Sequence, residues 1–261
     1  MSDSLVLCEI DAPIATITLN IPPVNAISIP VLDALHEALD KVAAEPAVRA
    51  VILAASGTKA FCAGGDLRQE ASFTDPADAK AFRDYGRRTL NRLETFDKPI
   101  IAAIFGYCIG GGTAIAWACD LRIAAEDTVF RAADSYLGLI PSWGMGLLRL
   151  PRYVGRNKVL DILLLGEDFG PEAAAELGLV TKVVPREALM DAARAAATRI
   201  ASASPTAIKA TRQAVAYSLR HSWDECVRFE EELCETVFNH ADAHEGTRAF
   251  VEKRAPVFKD I

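Results

Sequence analysis

The stretch "KPIIAAIFGYCIGGGTAIAWACDLRIAAE" (98–126) decides the fold class. Its first part, "PIIAAIFG", is a short apolar run entered through Pro99 and closed by glycine, which reads as a buried strand. Gly110, Gly111 and Gly112 follow, and the apolar residues behind them predict a helix. "DLRIAAE" then returns to strand. A strand, a helix led in by glycines and a second strand form the pattern of an α/β protein, in which helices pack on a largely parallel sheet.

The same alternation extends towards the N-terminus. "LVLCEI" (5–10) and "IATITLN" (14–20) read as strands around a turn at Asp11 to Pro13. In "IPVLDALHEALDKVAAE" (29–45), Val31, Leu32, Leu35, Leu39 and Val42 fall at helical spacing behind Pro30. "VRAVILAAS" (48–56) resumes as a buried strand, and "DAKAFRDYGRRTLNRLETF" (78–96) predicts another helix. After Pro151 the chain turns helical. "RNKVLDILLLG" (156–166), "PEAAAELGLV" (171–180), "EALMDAARAAATRIAS" (187–202), "SPTAIKATRQAVAYSL" (204–219) and "WDECVRFEEELCETVFN" (223–239) are divided by Gly166, Gly178, Pro185 and Pro205. A helical part is therefore expected from near Gly155, with no Gly/Ser-rich linker to tether a separate domain.

With 51% hydrophobic residues in 261 positions, the chain has ample material for a large core. A net charge of −7 argues against nucleic-acid binding, which needs a basic face. The six cysteines show no CxxC pair, so buried free thiols in a reducing cytoplasm are expected rather than disulfides or zinc ligands. "MSDSLVLCEIDAP" (1–13) lacks the pattern of a signal peptide, and no apolar run reaches membrane-spanning length. His36, His221, His240 and His244 have no partners at metal-ligand spacing, so no metal is expected.

Two glycine clusters stand at strand exits that lead towards helices: "KAFCAGGDL" (59–67) after "VRAVILAAS", and "GYCIGGGTAIAWA" (106–118) after "PIIAAIF". Glycine lets backbone come close to a ligand, and the first N–H groups of a helix have no partner within it. Two such turns can aim amides at one developing oxyanion. The competing reading is tight turns and close packing alone. Neither cluster is a GxxxxGK[ST] phosphate loop or a dinucleotide fingerprint.

Taken together, "KAFCAGGDL", "KPIIAAIFGYCIGGG", "ACDLRIAAEDTVF", "LGLIP" and the terminal "AFVEKRAPVFKD" resemble the enoyl-CoA hydratase/isomerase, or crotonase, family, in family order over nearly the whole chain. The resemblance implies an α/β spiral of ββα repeats, with residues 1–195 as core and 196–261 as a C-terminal helical trimerisation region. It implies a homotrimer or a dimer of trimers acting on an acyl-CoA substrate, with no cofactor beyond the CoA that the substrate carries. The two amides that hold the enolate-like anion would be those of Gly65 and Gly111. Ala63 and Leu67 would read the adenine of CoA. Phe250 and Lys253 would reach CoA from a neighbouring subunit. Val24, in "IPPVNAIS" (21–28), stands where the family commonly has Lys or Arg.

Family hydratases use two carboxylates, one to take a proton from water and one to protonate the α carbon. The resemblance puts the first at Ala114 and the second at Asp134, so one carboxyl is missing and the other is an Asp in place of Glu. An Asp reaches about 1.5 Å less far, a displacement that costs around a hundredfold in rate unless the site adapts. A single carboxylate resembles the family's double-bond isomerases. The alternatives are thioester hydrolysis or decarboxylation in the same fold, and a non-catalytic acyl-CoA-binding member.

Apart from the family, Asp134 reads as a turn or N-cap residue beside Ser135. Asp66 reads as a helix-start carboxylate, Asp120 as a turn residue, and Cys62 and Cys108 as buried small apolar side chains. Trp143, inserted in "PSWGMGLLRL" (141–150), either walls the acyl pocket or fills core.

Overall fold

The structure, a computed structural model, describes residues 4–259; Asp260, which closes the "AFVEKRAPVFKD" motif, lies outside them, as do residues 1–3 of the N-terminal stretch. In chain order the strands are β1 (Val6–Asp11), β2 (Ile14–Leu19), β3 (Ala50–Ala55), β4 (Ala60–Cys62), β5 (Ile100–Ile104), β6 (Tyr107–Ile109), β7 (Leu121–Ala125), β8 (Val129–Arg131) and β9 (Lys182–Val184). They form a six-stranded sheet in the order β1-β2-β3-β5-β7-β9 and a three-stranded sheet in the order β4-β6-β8. Only β1 and β2 pair antiparallel; every other neighbouring pair is parallel. The first pass lays β1 and β2 in the large sheet, and from β3 to β8 each pass lays one strand in the large sheet and the next in the small one, which is the ββα spiral.

The helices that complete the passes are α1 (Ile29–Ala43), α2 (Leu67–Ala71), α3 (Pro76–Glu94) and α4 (Gly111–Ala118). The rest follow after the third pass: α5 (Leu150–Val154), α6 (Arg156–Leu160), α7 (Pro171–Glu176), α8 (Leu189–Ala201), α9 (Pro205–Ser218), α10 (Trp223–Phe238) and α11 (Ala241–Val251). α1 buries Val31, Leu32, Leu35, Leu39 and Val42, the face its spacing predicts, together with Ala38.

The continuous apolar runs of the central strands follow from burial on both faces. Val51, Leu53, Ile100, Ala102 and Ile104 point into the main core. Ala50, Ile52, Ala54, Ile101 and Ala103 point the other way, against Ala193 and Ala197 of α8. Small side chains on α8 let it lie close to the sheet. The division expected between residues 195 and 196 falls inside this helix, whose buried face runs on to Ala201. No helix among the described residues is long and apolar enough to cross a membrane.

Candidate active site

The small sheet acts as a jig. Ala60 pairs with Tyr107 and Cys62 with Cys108, while Cys108 pairs with Phe130 and Ile109 with Arg131. All three strands are parallel, so their C-terminal ends deliver three loops to one edge: Ala63 to Asp66, Gly110 to Gly112, and Ala132 to Asp134. Ligands of parallel α/β sheets bind beyond such ends.

Each glycine of the triplet has its own reason. Gly110, at φ +53°, makes the bend out of β6, and its N–H donates to the Arg131 carbonyl at 2.9 Å. At Gly112 a Cβ would overlap the carbonyl oxygen of Cys62, so only glycine lets α4 start this close to the end of β4. A Cβ on Gly111 would stand 3.4 Å from the Gly65 nitrogen and 3.1 Å from the Trp143 ring, and one on Gly64 would stand 3.2 Å from the Gly111 nitrogen. The two bends therefore face each other. Among the described residues no acceptor takes the N–H of Gly65 or of Gly111, the condition an anion site needs.

A clamp that sequence reasoning overlooked fixes the first bend. Asn25, fully buried and at φ +50°, donates its amide to the carbonyls of Ser56 and Ala60 and accepts from the Ile21 N–H. The backbone on either side of it closes on the bend: Ala63 N–H donates to the Val24 carbonyl, Ile27 N–H to that of Gly64, and Asp66 N–H to that of Ile27. The signal was present in "IPPVNAIS" (21–28) as a polar side chain inside an otherwise apolar run.

Asp134 opens a single 3-10 turn, Asp134–Leu137, and does not cap it. Its Oδ2 is buried without a hydrogen-bond partner. Burial pushes its carboxyl above the ordinary carboxylate range, with its own backbone N–H pulling the other way. Asp134 thus lies in a turn, as its residue type suggests, but its side chain is not an N-cap and one carboxyl oxygen is left without a protein partner.

A second carboxyl that sequence reasoning overlooked lies nearby. Glu70 of α2 turns back over the first bend, so that its Oε1 fills the place a Cβ on Gly65 would take. Its pKa is raised, first by burial and then by the charges of Asp134 and Asp66. An aromatic wall closes the other side. Trp143, 8% exposed, meets Phe82 edge-on at 5.5 Å between centroids and presses on Gly86, where a Cβ would overlap its ring. It both fills core and walls the site. Arg149 holds the loop that carries it, through Glu94 at 2.9 Å and the Gly144 carbonyl at 3.2 Å.

Ala114 is buried in α4 and supplies no acid or base. Ala63 is half-buried in the first loop and Leu67 is exposed at the start of α2, both next to Gly65 in the chain. Phe250 is exposed on α11 and Lys253 follows it at φ +56°, so both lie in the C-terminal helical part rather than at the small sheet. Asp66 caps α2, accepting from the Arg68 N–H at 2.9 Å. Asp120 is structural, accepting from the Ile100 N–H at 2.7 Å and from Arg212 at 2.6 Å. Burial pushes the Cys62 thiol up to about 12 and Cys108 well above its ordinary range, which leaves both inert as nucleophiles. No group of acidic, His and Cys residues among the described residues has the makings of a metal site.

Comparisons with known proteins agree on the family. The sequence model described as Enoyl-CoA hydratase/isomerase matches residues 9–261. The chain is 36% identical over 251 residues to a probable enoyl-CoA hydratase of Bacillus subtilis, covering 96% of each. It is 36% identical over 261 residues to a probable enoyl-CoA hydratase of Mycobacterium bovis, covering 99% of each. Among solved structures, the enoyl-CoA hydratase of Bacillus anthracis superposes with a TM-score of 0.93 at 33% identity, over 98% of this chain and 100% of that one.

Proposed function

The chain belongs to the enoyl-CoA hydratase/isomerase family, and from that premise we propose that it binds an acyl-CoA thioester, holds the enolate-like anion on the Gly65 and Gly111 amides, and moves the α proton with Asp134. The observation that carries this reading is the meeting of the two glycine bends, each with an amide that no acceptor among the described residues takes. Donors fixed in place before the reaction stabilise the charge as it forms, at no reorganisation cost. A carboxyl whose pKa is raised by burial sits closer to neutrality, where a general acid/base works best.

Asp134 alone is equipped to shift a double bond, taking a proton from one carbon and returning it to another. Water addition requires a second group. Ala63 and Leu67 are assigned to the adenine of CoA, and Phe250 and Lys253 to CoA bound in a neighbouring subunit of a trimer or a dimer of trimers. The six cysteines are all free, which supports a reducing, cytoplasmic setting.

Mass spectrometry of products from 2-enoyl, 3-enoyl and aromatic-ring dienoyl thioesters tests the reading. A gain of one water marks hydration, unchanged mass with a moved double bond marks isomerisation, and free CoA marks hydrolysis. Calorimetric titration with acetyl-CoA must show binding; none at millimolar ligand contradicts the proposal. Asp134→Asn is expected to abolish turnover and leave that binding unchanged.

A further inference from the structure

Ala114 leaves the site one carboxyl short of what water addition needs, and α2 brings one from another direction. This helix starts directly from the first glycine bend, with Asp66 as its cap. Gln69 ties it to the start of α1 by accepting the Ile29 N–H at 3.0 Å. So anchored, α2 holds Glu70 with Oε1 over Gly65, and the same place lies 3.7 Å from the Phe82 ring. No cation or hydrogen-bond donor among the described residues pairs with the Glu70 carboxyl.

An unpaired, half-buried carboxyl beside an aromatic ring and within the field of Asp134 is a costly arrangement for stability alone. Such costs concentrate where chemistry uses them. Asp134 is the more enclosed of the two, with its Oδ2 buried and without a partner. The charge of Asp134 adds to burial in raising the Glu70 pKa, and a carboxyl with a raised pKa is suited to taking up a proton.

Resting on the reading above, we propose that Glu70 is the second acid/base of this site, standing in for the carboxyl absent at Ala114, so that Glu70 and Asp134 together add water to a 2-enoyl thioester. The water oxygen bonds to the β carbon as its proton passes to Glu70. The C=C pair moves into the thioester, and the negative charge rests on the oxygen beneath the Gly65 and Gly111 amides. That pair then returns to form a C–H bond at the α carbon with the proton of Asp134. Glu70 has gained one proton and Asp134 has lost one, so transfer between them, directly or through solvent, restores the starting state. The net change is substrate plus water.

Two readouts separate Glu70 from Asp134: water addition to crotonyl-CoA and cinnamoyl-CoA, and exchange of the α protons of butanoyl-CoA in heavy water, which needs no attacking water. Glu70→Gln keeps the side-chain shape. It is expected to lose water addition by at least about 100-fold while α exchange stays at the wild-type level and the melting temperature does not fall, and Glu70→Asp is expected to recover part of the loss. Water addition by Glu70→Gln at the wild-type rate would overturn the proposal. So would a wild-type protein that exchanges α protons yet hydrates neither thioester, or equal loss of both activities in Glu70→Gln. Absence of α exchange in the wild type, or its survival in Asp134→Asn, would instead sink the enolate reading on which the proposal rests.

Discussion

Gly112 and Asp134 carry opposite kinds of constraint, one of space and one of charge. A methyl group on Gly112 would overlap a backbone oxygen, which cannot swing aside as a side chain can. Gly112→Ala is therefore expected to push α4 off β4 and pull the Gly111 amide out of place, at a cost of about 10²–10³ in kcat for one oxyanion donor; kinetics alongside a melting curve check it. Asp134 gives a pH prediction with a definite sign. Its folded carboxyl is raised above the ordinary value of 3.8, so the stability its protonation lends is present in acid and lost as pH rises through the folded pKa. Asp134→Asn should melt higher than wild type at neutral pH, with the gap closing below about pH 4, where the unfolded carboxyl is also protonated. Asp134 was legible as a candidate because it sits at a fixed distance from "LGLIP" (137–141). Glu70 was not, since in "DLRQEAS" (66–72) nothing distinguishes it from a solvated helix residue. Its direction depends on the Asp66 cap and the tie from Gln69 to Ile29, both of which are tertiary facts.

The long strands and α1 were legible from periodicity alone, because five or more residues are enough to show an apolar run or a helical face. The small sheet was not. β4, β6 and β8 have three residues each, too few for alternation to register, and only the glycines at their ends advertised them. The elements that position the chemistry are thus the ones pattern reading misses most easily. Trp143 belongs to this scale too, since it ties the loop before α5 to α3 through Phe82 and Gly86. Trp143→Ala is expected to cost about 3–5 kcal/mol in denaturant unfolding and to shift kcat/KM towards bulkier acyl groups. Gly86→Ala keeps the indole but displaces it, so it should alter acyl preference with a smaller loss of stability. Unchanged acyl preference in both variants would remove Trp143 from the pocket wall.

At the scale of the molecule, the C-terminal helices leave large apolar side chains uncovered: Trp223 is 81% exposed, Phe238 70% and Phe250 85%. The trimer or dimer of trimers proposed above would cover side chains of this kind. Light scattering is expected to give three or six times the chain mass of 28.1 kDa, and Phe238→Asp combined with Trp223→Ala is expected to reduce it. A single-chain mass for the wild type would refute that expectation. The overall spiral was legible through motif order rather than through composition, and its purpose is to bring three strand exits to one edge of the small sheet. The most direct test of that purpose is a crystal structure with a bound acyl-CoA thioester. The account predicts the thioester oxygen within about 2.7–3.1 Å of both the Gly65 and Gly111 nitrogens, with the α carbon beside Asp134. A thioester oxygen out of reach of both amides would contradict it.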